Sequence, residues 1–164
     1  MVLLQTTLGD IEIELFDDKA PKTTENFLHY VNSGFYDGAI FHRIIKNFMV
    51  QGGGLNETMQ QKRTQSPIKN EADNGIKNEK YTVAMARTSN PDSASSQFFI
   101  NAADNHFLNF SAKTTEGWGY CVFGKVTKGQ SVIDTMHQVA TQSVAGFDDV
   151  PVKAIVIDKA SVID

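Results

Sequence analysis

FHRIIKNFMVQGGG, residues 41–54, reads as two short apolar runs joined by Lys46-Asn47 and stopped by three glycines. If the first run is a strand, alternation puts Phe41, Arg43 and Ile45 on one face. In the second run Met49 shares a face with Gln51, while Phe48 and Val50 turn the other way. A guanidinium and an amide thus stand on a half-apolar wall, where each needs a polar partner if it is buried. Downstream, SQFFIN repeats the arrangement, with Gln97, Phe99 and Asn101 on one side and Phe98 and Ile100 on the other. The pattern suits a sheet with a filled interior and a functional outer wall. Parity alone is explained more simply by an exposed Arg43 laid over apolar neighbours.

The rest of the chain is dominated by strand signals. IEIEL (11–15) alternates strictly, with Ile11, Ile13 and Leu15 on one face and Glu12 and Glu14 opposite, and Leu8-Gly9-Asp10 turns it back onto VLLQT. AIFHRII, FMVQ, YTVAMA, SQFFIN, YCVFGKV and KAIVIDKASVI bring the total to about eight, which predicts a sandwich or a closed barrel. Two helices are signalled. The first opens near Pro21, repeats Phe27, Leu28 and Val31 at helical spacing, and can end at Gly34. The second opens at Ser131 with Asp134 as a capping-box partner and presents Val132, Ile133, Met136 and Val139. Residues 56–80 read as a polar surface loop. Without a repeat or linker to divide it, the chain 1–164 reads as one domain.

Composition removes several classes of function. A net charge of −4 offers no general attraction for nucleic acid or anionic membrane. Cys121 is the single cysteine and sits in an apolar run, so it reads as a buried structural thiol, and a cytoplasmic location is the default. The four histidines lack metal-ligand spacing, so neither a metal nor another cofactor is expected. QGGG lacks the Lys-Ser/Thr end of a phosphate loop, and no G-x-S-x-G elbow supports a hydrolase.

FHRIIKNFMVQGGG resembles the signature segment of the cyclophilin peptidyl-prolyl isomerases, and VAMARTSNPDSASSQFFIN resembles their second signature. IEIELFDDKAPKTTENF, GFYDGAIFHRII, FLNF and YCVFGKV extend the likeness from end to end, nearest to the small single-domain bacterial members. The resemblance implies a closed eight-stranded antiparallel β-barrel capped by two helices. It implies that Arg43 is the catalytic guanidinium with Gln51 beside it. Phe48, Met49, Phe99, Phe107 and Leu108 would line the proline pocket, Tyr120 would be a further substrate-binding residue, and Ala86, Arg87 (through its main chain) and Gln97 would hold the substrate backbone. Arg87 stands where many relatives carry Asn, Phe107 where eukaryotic members carry Trp, and Tyr120 where they carry His. Phe107 keeps an apolar wall without the indole N–H, so cyclosporin binding is expected to be weak. The implied activity is isomerisation of X–Pro bonds in proline-containing peptides and folding proteins, by a monomer. The alternative is a non-catalytic module that presents the same pocket to proline-bearing partners.

Overall fold

The computed structural model describes residues 1–163. The chain opens with a hairpin of β1 (Val2–Thr6) and β2 (Gly9–Leu15), and the alternation in IEIEL sets its orientation. Ile11 and Ile13 are fully buried, whereas Glu12 and Glu14 face outward and reach Lys128 and Lys125 at 3.7 and 3.5 Å. Such exposed pairs contribute about 0–1 kcal/mol, so the buried isoleucines hold the register. Helix α1 (Pro21–Asn32) follows, with proline in its first turn.

Next come the short strands β3 (Arg43–Ile45) and β4 (Met49–Gly52), then β5 (Thr82–Met85), β6 (Phe98–Asn101) and β7 (Val122–Lys128). The chain ends with α2 (Gln130–Met136), β8 (Thr141–Val144), β9 (Phe147–Pro151) and β10 (Ile157–Val162). Eight strands form one sheet in the order β10-β1-β2-β7-β5-β6-β4-β3, every neighbouring pair antiparallel.

The fold is mainly β with two helices, but the expected barrel closure is absent: the sheet curls and stays open between β3 and β10. Residues on either side do meet there. Ile40 bridges Val156, Phe41 N donates to Ile155 O at 3.0 Å, and Ile157 N donates to Ala39 O at 2.8 Å. This contact precedes β3 and is too short for a ladder; β3 itself runs on beside β9. Because Ile155 and Val156 serve that bridge, the last strand begins only at Ile157.

Three further expectations are corrected. Phe41 does not share the Arg43 face: β3 begins at Arg43, and Phe41 turns into the core with its ring edge-on to Phe98 at 5.9 Å. The second helix starts at Gln130 after Gly129, which takes the left-handed conformation at φ 96°, so no Ser131–Asp134 capping box forms. Asp134 instead accepts a hydrogen bond from Tyr81 Oη at 3.0 Å. The β8–β9 hairpin was not expected at all, since TQSV and FDDVP carry little apolar alternation.

An aromatic cluster fills the concave side. Phe27 of α1 contacts Tyr36, Phe98 and Phe123, with ring centroids 5.3, 5.4 and 5.0 Å away. Ile133 and Met136 of α2 are also fully buried in this core. A second, smaller cluster lies on the convex face: Met49, Ala84, Phe99, Leu108 and Val122. The functional surface is built on that second cluster.

Candidate active site

The β3–β4 hairpin places its residues by register. Arg43 lies opposite Gln51, Ile44 opposite Val50, and Ile45 opposite Met49. Asn47 makes the turn possible by adopting φ 61°, a conformation Asn tolerates better than most residues. Its N–H donates to the Nε2 of His137, the residue that caps the end of α2. On the other side β4 pairs with β6, setting Gln51 opposite Phe99 and Met49 opposite Asn101. Arg43, Gln51 and Phe99 therefore form one cross-strand row on the convex face. Arg43 is exposed, Gln51 half-buried and Phe99 buried.

These residues border a cavity of about 100 Å³ lined by Arg43, Phe48, Met49, Gln51, Ala86, Arg87, Phe99, Leu108 and Tyr120. Phe48, whose simple alternation pointed away from Met49, stands at the cavity wall because it precedes β4 and belongs to the turn. Tyr120 meets Phe99 edge-on at 5.8 Å, and the Arg87 guanidinium carbon lies 4.6 Å from the centre of the Tyr120 ring. Phe107, expected in the pocket wall, and Gln97, expected on the substrate backbone, both lie beside this cavity. Phe107 is 75% exposed, with its ring 5.5 Å from Phe48, and extends the apolar surface outward. Gln97 accepts a hydrogen bond from Gln51 Nε2 through Oε1 at 2.9 Å and lines a neighbouring cavity of about 160 Å³. Its carbonyl also receives Ala86 N–H at 3.0 Å, which anchors the Ala86–Arg87 segment.

The glycines after Gln51 are explained by close approach. A Cβ on Gly54 would fall 2.4 Å from Gln97 Cγ, so only glycine leaves room for the side chain that holds Gln51. A Cβ on Gly52 would likewise fall 2.6 Å from Ile40 O.

A buried asparagine chain braces the pocket from behind, and it is the part that reading the residues missed. Asn105 Nδ2 donates to Phe48 O at 2.9 Å and to Asn101 Oδ1 at 2.8 Å. Asn101 Nδ2 donates to Asn78 Oδ1 at 3.0 Å. Asn78 Nδ2 in turn reaches Leu108 O at 3.3 Å and Tyr120 O at 3.1 Å. Three wall residues from distant segments are thereby joined through their carbonyls, by amides that are themselves buried. Asn78 lies in the segment expected to be surface loop; asparagine-rich spacing was the available signal.

Titratable chemistry at the site is sparse. Among the described residues no group of three or more His, Cys, Asp or Glu could hold a metal. His42 stands next to Arg43 in the chain. It is buried, its Nδ1 has no partner among the described residues, and its ring stands edge-on to Phe147 at 5.9 Å. Burial, and secondarily the charge of Arg43, lowers its pKa to about 4. Cys121 is a buried free thiol pushed up to about 11, chiefly by burial. The site therefore offers an exposed guanidinium, amides and an apolar floor, without a nucleophile–base pair.

Known proteins resemble the chain throughout. Residues 1–162 match the family model described as "Cyclophilin type peptidyl-prolyl cis-trans isomerase/CLD". The chain is 59% identical over 162 residues to "Peptidyl-prolyl cis-trans isomerase cyp18" of Streptomyces antibioticus, covering 99% of this chain and 98% of that protein. It is 53% identical to "Peptidyl-prolyl cis-trans isomerase B" of Escherichia coli (strain K12), covering 99% of each. A crystal structure of a Cryptosporidium parvum cyclophilin type peptidyl-prolyl cis-trans isomerase, determined in the presence of the dipeptide Ala-Pro, superposes with a TM-score of 0.80. It shares 28% identity, with 99% of this chain and 98% of that one covered.

Proposed function

The chain belongs to the family of cyclophilin-type peptidyl-prolyl cis-trans isomerases, and from that membership we propose how its residues divide the reaction. It is an isomerase that accelerates rotation about X–Pro peptide bonds. The non-catalytic alternative is not favoured.

An X–Pro bond rotates over a barrier of about 18–20 kcal/mol because the nitrogen lone pair is delocalised into the carbonyl. At the twisted transition state that conjugation is lost and the lone pair is localised on nitrogen. A fixed N–H donor aimed at that nitrogen binds the transition state better than either ground state. Arg43 is assigned this role: its guanidinium lines the cavity and presents N–H donors with no acceptor of its own. Gln51, directly across the hairpin, gives its Nε2 to Gln97, which leaves Oε1 as the acceptor that would steady Arg43. The proline ring would sit among Phe48, Met49, Phe99 and Leu108, with Phe107 and Tyr120 at the rim. Ala86, Arg87 and Gln97 would hold the peptide backbone. No covalent bond, proton transfer or cofactor is invoked.

Magnitudes decide how much each part must supply. Turnover on the order of 10³ per second corresponds to a barrier near ~13 kcal/mol, so about 6 kcal/mol must be removed. One charge-assisted hydrogen bond contributes about 1.5–3 kcal/mol. The apolar wall, which strengthens that bond and favours the twisted peptide bond, must supply the remainder. The observation that carries this assignment is the register Arg43–Gln51–Phe99 over the Met49 and Leu108 floor.

The substrates in this reading are proline-containing segments of peptides and folding proteins, supported by the Ala-Pro dipeptide of the structural relative. Residues 1–164 act as one isomerase domain, as a monomer, in the cytoplasm; the buried lone thiol suits a reducing compartment. Among the described residues no helix is long and apolar enough to cross a membrane. Cyclosporin binds weakly, because Phe107 lacks an indole donor. Exchange spectroscopy on an Ala-Pro peptide tests the proposal: line broadening from catalysed exchange is expected with wild type, and its absence would refute it.

A further inference from the structure

The proline cavity and its neighbour share three wall residues, Gln51, Ala86 and Arg87. Anything seated in the neighbour while proline fills the first must belong to a residue within about two positions of it, given 3.8 Å between successive Cα atoms. The second cavity is otherwise lined by Thr88, Ser93, Ser95 and Gln97. Two of its three hydroxyls are committed locally: Thr88 Oγ1 donates to Ser93 Oγ at 2.8 Å, and Ser93 Oγ donates to Asn90 O at 2.6 Å.

Arg87 is different. Its Nε donates to Gly119 O at 2.9 Å and its Nη1 to Thr88 O at 2.8 Å, while the plane rests on Tyr120. Those contacts immobilise the guanidinium between the two cavities and, among the described residues, leave Nη2 without an acceptor. No carboxylate lines either cavity, and among the described residues neither Arg43 nor Arg87 forms an ion pair. In a chain of net charge −4, this one face presents two uncompensated guanidiniums. Arg43 is accounted for by the prolyl nitrogen; Arg87 is not.

We propose that the side chain of Arg87 selects substrates carrying a carboxylate, Asp or Glu, within two residues of the proline. The preorganised fork offers a carboxylate a charge-assisted hydrogen bond without ordering a free side chain first. The inference rests on the assignment of the first cavity to proline.

The test uses peptides with Glu, Ala or Lys placed in turn two before, one before, one after and two after proline. Catalytic efficiency is measured for wild type, Arg87→Gln and Arg87→Glu at low and high salt. At low salt, wild type is expected to favour Glu over Lys by about fivefold at one of these positions, as suits a half-exposed charge pair. The ratio should fall towards unity at high salt, vanish in Arg87→Gln and invert in Arg87→Glu. An active wild type with no Glu/Lys preference at any position would overturn the proposal. So would an unchanged ratio in Arg87→Gln, which would assign the preference to Arg43. Wild type inactive on the Ala peptides would instead refute the isomerase reading beneath it.

Discussion

Arg43 and Gln51 face each other across a three-pair hairpin, and Gln51 Nε2 donates to Gln97 Oε1 at 2.9 Å. The glutamine opposite the arginine assigned to the reaction is thus tied to a residue 46 positions further along, in the other signature segment. Gln97 reaches this point only because Gly54 has no side chain.

Asn78→Ala is expected to strip acceptor and donor partners from Asn101, Leu108 and Tyr120 at once. Leu108 O keeps the Tyr120 N–H and Asn101 Nδ2 keeps Thr82 Oγ1, so the loss centres on Tyr120 O and is expected to be about 1–3 kcal/mol in urea unfolding. Catalytic efficiency should fall as well, because two of those residues line the pocket. Stability within about 0.5 kcal/mol of wild type would show that the network does not brace the wall.

Gly52→Ala would bring a methyl group to 2.6 Å from Ile40 O and 2.9 Å from Phe41 Cα, both backbone atoms. The strand must move away from the bridge that spans the open edge of the sheet. A loss of about 1–3 kcal/mol, read as a lower melting temperature, is expected. An unchanged melting temperature would mean that this edge adapts freely.

His42 makes stability depend on pH in a defined direction. Its folded-state pKa of about 4 lies below the ordinary value of 6.5, so the unfolded chain binds the extra proton between those limits. Stability should therefore fall as pH drops from 6.5 towards 4, by up to about 3 kcal/mol from this residue. His42→Leu is expected to flatten that part of the pH–stability curve relative to wild type. Parallel curves for the two proteins would refute the assignment.

Cys121 should be nearly inert in the folded protein. With its thiol pushed up to about 11, roughly one part in a thousand is thiolate at pH 8, and burial blocks access. A thiol reagent should label it quickly in denaturant and slowly without. Equal rates would show that the segment before β7 opens readily.

The legible features were those set by local pattern. Alternation in IEIEL and FFIN set the faces of β2 and β6, and the spacing of Pro21, Phe27 and Val31 set α1. Two long motifs carried the family resemblance and drew attention to the residues that the fold gathers around one cavity. What escaped depended on contacts distant in sequence. The open edge follows from Ile40 meeting Val156, a pairing with no local signature. The asparagine brace joins Asn78, Asn101 and Asn105 through amides that look like ordinary loop residues in one dimension. Phe41 broke parity because the strand starts two residues later than its apolar run.

The most direct measurement is catalysed exchange of an Ala-Pro peptide by Arg43→Ala, run beside a thermal melt. Arg43 is exposed, so truncation should leave the melting temperature within a few degrees of wild type. Loss of one charge-assisted hydrogen bond at the transition state should lower turnover by about 10- to 150-fold. A folded Arg43→Ala protein that retains wild-type turnover would contradict the role assigned to the guanidinium.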